Sequence, residues 1–112
     1  MAGSLTILKQ RKDFLLCNHG RRHVTAGFVL QARARNDETD DIRVGFTCSK
    51  KLGNAVMRNR AKRRLREVAR LGLPELGQTG YDYVLIGRPG ATVTRSFADL
   101  QNDFTHAMKA VH

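Results

Sequence analysis

Residues 55–71 of the chain read AVMRNRAKRRLREVARL, and the spacing of apolar and charged residues in this run decides which of its sides the rest of the fold can pack against. An α-helix turns by about 100° per residue. On that spacing, one apolar stripe is formed by Ala61, Leu65, Val68 and Ala69. The opposite side carries Asn59, Lys62, Arg63, Arg66 and Arg70, flanked by Arg60. The run therefore predicts an amphipathic helix from Ala55 to about Leu71, with its apolar side on a core and its cationic side outward.

The positive charge of this helix continues upstream along the chain. Between Arg43 and Arg66 there are nine Lys or Arg residues and no Asp or Glu, and the whole chain has a net charge of +10. A basic face can also be a solvated surface or a localisation signal. Arginine outnumbers lysine here and Asn59 lies among the arginines, which favours a phosphate-binding surface. Nucleic acid is therefore the first partner to consider.

Length and composition indicate a folded, soluble protein. The 112 residues fit one domain over residues 1–112, and 41% of them are hydrophobic, more than a disordered basic tail contains. Cys17 and Cys48 are too few for a disulfide framework, no signal segment opens the chain, and no apolar run could span a membrane. We therefore expect a cytoplasmic protein without membrane association.

Periodicity predicts three elements upstream of the basic helix. Apolar residues at helical spacing predict a short helix over residues 9–18. Alternation predicts a strand over residues 24–33 and another over residues 42–49, each with one buried face and one more polar face. The acidic run at residues 36–41 is interpreted as the hairpin loop that joins them.

Downstream, two further elements follow a loop that contains Gly72 and Pro74. Residues 81–87 predict a central strand, and Ser96 with Asp99 predicts the capped start of a final helix. The order α-β-β-α-β-α indicates a small two-layer α+β sandwich, in which a mixed sheet combines an antiparallel hairpin with a parallel pair. By the general rule, the helix between parallel strands would make a right-handed crossover.

No set of residues predicts catalysis by the protein itself. Residues 50–54, Lys-Lys-Leu-Gly-Asn, lack the spacing of a nucleotide-binding loop and are interpreted as a turn, with or without a backbone phosphate contact. Cys17, His19 and His23 could ligate zinc, but solvated histidines are the better interpretation. We find neither a nucleophile with its base nor a carboxylate pair for metal-assisted hydrolysis.

Phe14 and Asn18 lie four residues apart and share a face of the first helix. An aromatic residue on a short helix is usually part of a core. Next to a polar residue, however, it can equally be a surface on which a nucleobase stacks. The sequence leaves both interpretations open.

Three segments, in this order, resemble the signature of the bacterial ribonuclease P protein family. They are Arg43-Val-Gly-Phe46, SKKLGNAV at residues 49–56, and RNRAKRRLRE at residues 58–67. The Arg-Asn-Arg core of the third segment is highly specific. Asp13-Phe14, the chain length and the order of elements also match, so the resemblance covers nearly the whole chain.

The resemblance implies a protein cofactor of a catalytic ribonuclease P RNA, which together remove the 5′ leader of precursor tRNA with magnesium held mainly by the RNA. It implies a monomer, 1:1 with the RNA, without catalytic or metal-binding residues. The implied contacts to the RNA subunit are Lys50, Lys51, Asn54, Arg58, Asn59, Arg60, Lys62, Arg63, Arg64 and Arg66. The implied leader cleft is lined by Phe14, Asn18, Gln31, Thr47 and Ser49.

The chain departs from the family where Asn18 and Gln31 replace common aromatic residues, so leader binding would rely more on hydrogen bonds. The family has a ribosomal-protein domain 2-like fold with a left-handed crossover, and we follow the family against the general rule. Two alternatives are a non-catalytic ribosomal or other RNA-binding protein of similar fold, and a nuclease that acts alone.

Overall fold

The computed structural model describes residues 5–112, and the first four residues of the expected domain lie outside the described part. The strands are β1 (Leu5–Ile7), β2 (Arg21–Val24), β3 (Phe28–Ala34), β4 (Ile42–Thr47) and β5 (Tyr81–Gly87). The helices are α1 (Arg11–Cys17), α2 (Ala55–Leu76), α3 (Ala91–Thr94) and α4 (Phe97–Val111), with a 3₁₀ turn at Lys50–Leu52. These strands form one mixed sheet in the order β1-β4-β5-β3-β2. The predicted α+β class is confirmed.

The start of α2 and its buried side agree with the sequence prediction. The Asn54 side chain accepts a hydrogen bond from the backbone N–H of Met57 at 3.0 Å, which caps the helix. The predicted apolar stripe is at most 1% exposed at each of Ala61, Leu65, Val68 and Ala69. The helix therefore faces the core with the side that its periodicity indicated.

The end of α2 was predicted too early, near Leu71. The helix continues to Leu76 although Pro74 lies in its last turns. Leu73 is fully buried, and at Gly72 a side chain would clash with Phe104 of α4, since a Cβ there would lie 2.6 Å from that ring. The burial of this last part against α4 outweighs the tendency of glycine and proline to end a helix.

The sequence predicted a hairpin between the strands at residues 24–33 and 42–49, and this prediction is wrong. β3 and β4 are not neighbours, because β5 lies between them, antiparallel to β3 and parallel to β4. The acidic loop at residues 36–41 therefore crosses the end of β5. Arg35 fixes this loop by donating hydrogen bonds to the Thr39 hydroxyl at 2.6 Å and the Asp41 carbonyl at 2.7 Å. The central position of β5 is as predicted.

The strand predicted over residues 24–33 corresponds to β3, but its first residues belong to the end of β2 and to a turn, and β2 itself, antiparallel to β3, was not predicted. The turn between them is built on Thr25, whose hydroxyl oxygen accepts from the backbone N–H of Gly27 at 3.2 Å and of Phe28 at 3.0 Å. A threonine-centred turn without Asn-Gly or Asp-Gly carries little sequence signal. β1 was missed because three residues are too few to show alternation.

The crossover from β4 through α2 to β5 is left-handed, as the family resemblance implied. Val44 faces α2 in the core, and its carbonyl accepts a hydrogen bond from Leu8 N at 2.8 Å, so its backbone polar groups point to β1. For an L-residue seen from its side-chain side on a strand that runs upward, those groups point right. β5 consequently lies to the left of β4, and a connection over the viewer's side that moves left is left-handed.

Apolar side chains are buried on both faces of the sheet. On one face α2 and α4 cover the main core, which includes Phe28, Leu65 and Tyr83. On the other face α1 covers a small core of Leu8, Cys17 and Val84 with Phe14 and Ile86 packed against it. The expected sandwich of sheet and helices thus carries one short extra helix on its second face.

The final helix begins and packs as predicted. The Ser96 hydroxyl accepts a hydrogen bond from Asp99 N at 3.1 Å, and Phe104 and Met108 are among its buried residues. α3 was not predicted, because one helical turn leaves no periodic pattern. Within residues 5–112, no helix combines the length and the apolar character that crossing a bilayer requires.

Candidate nucleic-acid interface

The outward side of α2 and the turn before it form a cationic surface, which we call the basic surface. Its exposed residues, all predicted as RNA contacts, are Lys50, Lys51, Asn54, Asn59, Arg60, Lys62, Arg63 and Arg66. No acidic residue occurs in the chain between residues 50 and 66. Such a concentration of like charge is typical of a surface that takes a polyphosphate backbone as its counter-ion.

Two predicted RNA contacts are placed differently from the rest. Arg64 is half-buried and turns toward the α3 segment, where it donates hydrogen bonds to the carbonyls of Thr92, at 3.0 Å, and of Arg95. Arg58 is half-buried, and within the described residues its Nε has no hydrogen-bond partner. Arg64 therefore joins two elements of the fold, whereas Arg58 keeps a buried donor without a partner.

Two cations of α2 lean toward the edge of the sheet at β4. The guanidinium carbon of Arg66 lies 5.9 Å from the centroid of the Phe46 ring, within cation–π distance. Within the described residues, β1 pairs with residues 42–44 of β4, which leaves the second half of β4 without a strand neighbour on that side. Lys62 reaches the cavity beside α1 at this edge. The basic surface and that cavity therefore adjoin, although they belong to opposite faces of the sheet.

A cavity of about 570 Å³, open to solvent, lies between α1 and the sheet, and we call it the groove. It is lined by Lys9, Arg11, Phe14, Leu15, Asn18, Gln31, Phe46, Thr47, Cys48, Lys62, Val84 and Ile86. Four of the five residues predicted for the leader cleft are among these. The fifth, Ser49, is exposed beyond the end of β4.

The floor of the groove contains Val84 and Ile86, which sequence reasoning did not assign to the site. Both belong to β5, which was recognised as a central strand. Alternation shows that they share a face of β5, but it does not show that α1 lies on that face. Their assignment therefore required the tertiary structure.

Phe14 belongs both to the small core and to the groove. It is half-buried against Leu8, Cys17 and Val84, and its ring also lines the groove. The ring lies on Gly45 of β4, since a Cβ at that position would be 2.5 Å from two of its carbons. Part of the ring is therefore core, and the part that borders the groove remains available for the stacking that the sequence left open.

Gln31 and Asn18 form an amide pair across the groove. The Gln31 Nε2 donates a hydrogen bond to the Asn18 Oδ1 at 2.9 Å. Gln31 is only 3% exposed, whereas Asn18 is exposed. The face that the sequence described as polar is therefore mostly covered at Gln31, and the amide of Asn18 is the more accessible of the two.

Arg43, the first residue of the signature, is neutralised by residues distant in the chain. Asp82 is fully buried and accepts hydrogen bonds from Nε and Nη2 of Arg43, each at 2.7 Å, and from Nη1 of Arg35 at 3.0 Å. The hydrogen bonds with Asp82 raise the pKa of the Arg43 guanidinium. Asp13 lies 3.5 Å from the same guanidinium. The absence of acids between Arg43 and Arg66 in the sequence thus does not make Arg43 a free cation.

The carboxylates and thiols near the groove are the side chains that could ligate a metal ion. Within residues 5–112, no three His, Cys, Asp or Glu side chains converge as a ligand set, and the carboxylates of Asp13 and Asp82 are paired with arginines. Cys17 and Cys48 are free thiols. Burial raises the pKa of Cys17 to about 11 and also raises the pKa of Cys48, so both are thiols rather than thiolates at neutral pH.

A cationic helix beside a groove that contains an aromatic ring and amides is suited to phosphate contacts and base stacking. These features are those of a small α+β RNA-binding protein.

The Ribonuclease P family model matches residues 4–112. The Ribonuclease P protein component of Ruegeria pomeroyi is 52% identical, over 99% of this chain and 90% of that protein. That of Gluconacetobacter diazotrophicus is 46% identical, over 97% and 93%. The chain therefore belongs to the ribonuclease P protein family.

Solved structures of the family are similar to this fold over almost its whole length. The RNase P protein of Thermotoga maritima is 28% identical with a TM-score of 0.78, and covers 94% of this chain and 96% of its own. That of Staphylococcus aureus is 31% identical with a TM-score of 0.75, and covers 93% of each chain. The chain is thus a protein subunit of ribonuclease P, an endoribonuclease with an RNA partner, as the sequence predicted. Nothing in these similarities supports the alternative of a ribosomal or other RNA-binding protein.

Proposed function

We propose that this subunit binds the catalytic RNA with its basic surface and holds the 5′ leader of precursor tRNA in its groove. The observation that carries the proposal is the position of Lys62, which belongs to α2 and also borders the groove near Phe14. The catalytic RNA on the helix and the leader in the groove can therefore lie side by side on continuous positive surface.

The groove offers each contact that a single strand needs. Phe14 presents part of its ring to a base, and stacking on an aromatic ring accepts any base. The amide groups of Asn18 and Gln31 can hydrogen-bond to base edges, and Lys9, Arg11 and Lys62 can neutralise phosphates. Two aromatic rings, Phe14 and Phe46, and two amides line the space, so the groove offers both stacking and hydrogen bonds.

We infer that the protein positions its RNA partners and that the RNA supplies the reactive centre. The ion pairs of Asp13 and Asp82 support the proposal that magnesium is held mainly by the RNA. One sheet with one main core supports a single domain over residues 1–112. We further propose that this domain acts in the cytoplasm as a monomer, 1:1 with the RNA. The net charge of +10 opposes self-association of the free protein.

Phe14→Leu tests the leader groove. Leucine keeps an apolar contact with Gly45 but removes the flat ring, and stacking of one base contributes about 1–3 kcal/mol. In the holoenzyme reconstituted with ribonuclease P RNA, the ratio of precursor to mature tRNA affinity should fall by about 5-fold or more. The affinity of the protein for the RNA subunit should stay unchanged.

Phe97→Leu is the matched control, because Phe97 is a half-buried aromatic residue on the other face of the sheet. An equal fall in both folded variants, or no fall with Phe14→Leu, contradicts the leader assignment. Cleavage of precursor tRNA is also measured with the protein alone. Activity without the RNA subunit would contradict the inference that the RNA supplies the reactive centre.

A further inference from the structure

We propose that the leader path continues beyond the groove onto β2, where Arg22 binds a leader phosphate and the exposed side chain of Val24 receives a base. This inference rests on the proposed function, because it concerns the same RNA strand. It assigns a binding role to a strand that the sequence did not predict.

The register of the sheet places these residues on the groove side. In the antiparallel pair of β2 and β3, Arg22 lies opposite Gln31 and Val24 lies opposite Val29. Residues directly opposite in an antiparallel pair point to the same face. Since Gln31 lines the groove, Arg22 and Val24 lie on the groove face, one strand further out.

The strip formed by Arg22 and Val24 is open. α1 packs mainly on β3 and β5 rather than on β2. Val24 is 52% exposed, and Arg22 is exposed beside it. An exposed apolar side chain next to a cation repeats the combination found at Phe14, and it matches a base followed by its phosphate.

The neighbouring arginines are already engaged within the fold. Arg21 points to the other face, where its Nη1 donates to the Val111 carbonyl at 3.4 Å. Arg33 lies 3.6 Å from the buried Asp82 carboxylate. Within residues 5–112, by contrast, Arg22 has no hydrogen-bond or ion-pair partner, so its charge is available to a phosphate.

The sheet geometry sets the length of leader that reaches this strip. From β4 to β2 there are three strand intervals of about 4.8 Å, or roughly 14 Å. A stacked strand advances about 3.4 Å per nucleotide along its axis, so about four stacked nucleotides would span the distance from the β4 edge to β2. A leader that ends before this point should not respond to Arg22.

The test uses the reconstituted holoenzyme and precursor tRNAs with leaders from two to about twelve nucleotides. For long leaders, Arg22→Gln should reduce the slope of log affinity against log salt by about 0.7, one single-strand phosphate contact. When the salt is raised from about 50 to about 200 mM, the variant should therefore lose about 2.6-fold less affinity than the wild type does. Val24→Ser should weaken long-leader binding without a change in slope. Lys109→Gln is the charge-matched control, because Lys109 is an exposed cation on α4. It should change neither the salt slope nor the affinity for long leaders.

The results separate this inference from the function on which it rests. If Phe14→Leu lowers the precursor preference but Arg22→Gln leaves the slope unchanged, the leader ends its contact before β2 and the inference is overturned alone. If Arg22→Gln acts equally on mature tRNA or on two-nucleotide leaders, Arg22 contacts another part of the complex and the inference is also overturned. If neither variant has an effect, the proposed leader groove itself is wrong.

Discussion

Asp82 organises the charged side chains beside the groove. Its carboxylate is completely buried and lies within ion-pair distance of Arg33, Arg35 and Arg43. A buried carboxylate is tolerated only when opposite charges and hydrogen bonds satisfy it. Because Arg35 also fixes the acidic loop and Arg43 also approaches Asp13 of α1, this one residue couples β5 to two neighbouring segments.

Asp82→Asn should destabilise the protein strongly. The amide keeps the shape of the carboxylate but removes its charge, so buried guanidinium groups lose their counter-ion. Removing one partner of a buried ion pair typically lowers the free energy of unfolding by about 3–5 kcal/mol. Urea unfolding, monitored by circular dichroism, measures this loss of unfolding free energy.

Asp103→Asn is the control for this prediction. Asp103 pairs with Arg95 at 2.7 Å, but the Arg95 side chain is 32% exposed, and such partly solvated pairs contribute about 1 kcal/mol or less. Equal losses of unfolding free energy in the two variants would mean that the Asp82 cluster contributes no more to stability than a partly solvated ion pair does.

Asn18 and Gln31 show why residue type alone did not predict which polar groups of the groove are exposed. The sequence placed both on an open polar face. In the structure Gln31 is almost completely buried and donates to Asn18, so one amide orients the other. Whether an amide is covered depends on where α1 crosses the sheet, and that contact joins residues 13 positions apart.

At the scale of elements, α2 divides its cations between three directions. Arg63 faces solvent, Lys62 and Arg66 lean toward the β4 edge, and Arg64 turns to the α3 segment. The helical period predicted the outward side correctly. It could not predict Arg64, because α3 is too short to be recognised and its carbonyls come from a distant part of the chain.

Arg63→Gln and Arg64→Gln should therefore have different effects although the residues are adjacent. Arg63→Gln should lower the slope of log affinity for ribonuclease P RNA against log salt by somewhat less than ~1, with unfolding free energy unchanged within about 0.5 kcal/mol. Arg64→Gln leaves the Thr92 and Arg95 carbonyls without their donor and should lower the unfolding free energy by about 1–3 kcal/mol. Salt titrations and urea unfolding measure the two quantities.

The pair serves as its own control, because each variant removes one positive charge from the same helix. A stability loss in Arg63→Gln comparable to that in Arg64→Gln would show that Arg63 is also part of the fold. An unchanged salt slope in Arg63→Gln would count against α2 as the RNA-binding face.

For the whole molecule, the arrangement of the sheet decides how the two surfaces meet. α2 lies on one face of the sheet and the groove on the other, and they adjoin only at the open half of β4. A short β1 leaves that edge free, so Lys62 can reach around it. A longer first strand would separate the basic surface from the groove.

The stability of the whole molecule should fall when the pH decreases below about 6.5. His112 lies at the end of α4, with its Nε2 2.7 Å from the Tyr83 hydroxyl. Burial, and to a lesser extent Arg21, lower the pKa of His112 in the folded state. The unfolded chain therefore binds this proton at higher pH than the folded chain, and the stabilisation present above about 6.5 is lost below it.

Thermal melts at pH 7 and pH 5 should show a smaller decrease in melting temperature for His112→Gln than for the wild type. His106→Gln is the matched control, because His106 is exposed on the same helix and should leave the wild-type decrease intact. An identical decrease in the wild type and in His112→Gln would assign the pH dependence to other groups.

The sequence by itself determined the features that depend on local spacing and composition. These are the basic amphipathic helix, the central β5, the capped α4, the α+β class and the likeness to the ribonuclease P protein family. Helical and strand periods act over a few residues, and charge density is a property of composition, so no long-range information was needed.

Only the tertiary structure decided which elements are neighbours. β5 separates β3 from β4, Asp82 neutralises Arg43, Arg64 binds the α3 segment, and Gly45 admits Phe14. Each of these contacts joins residues far apart in the chain, and each is selected by the burial of a whole sheet rather than by local preference. The groove therefore exists only in the folded protein, where α1 crosses the face of the sheet that its own sequence does not specify.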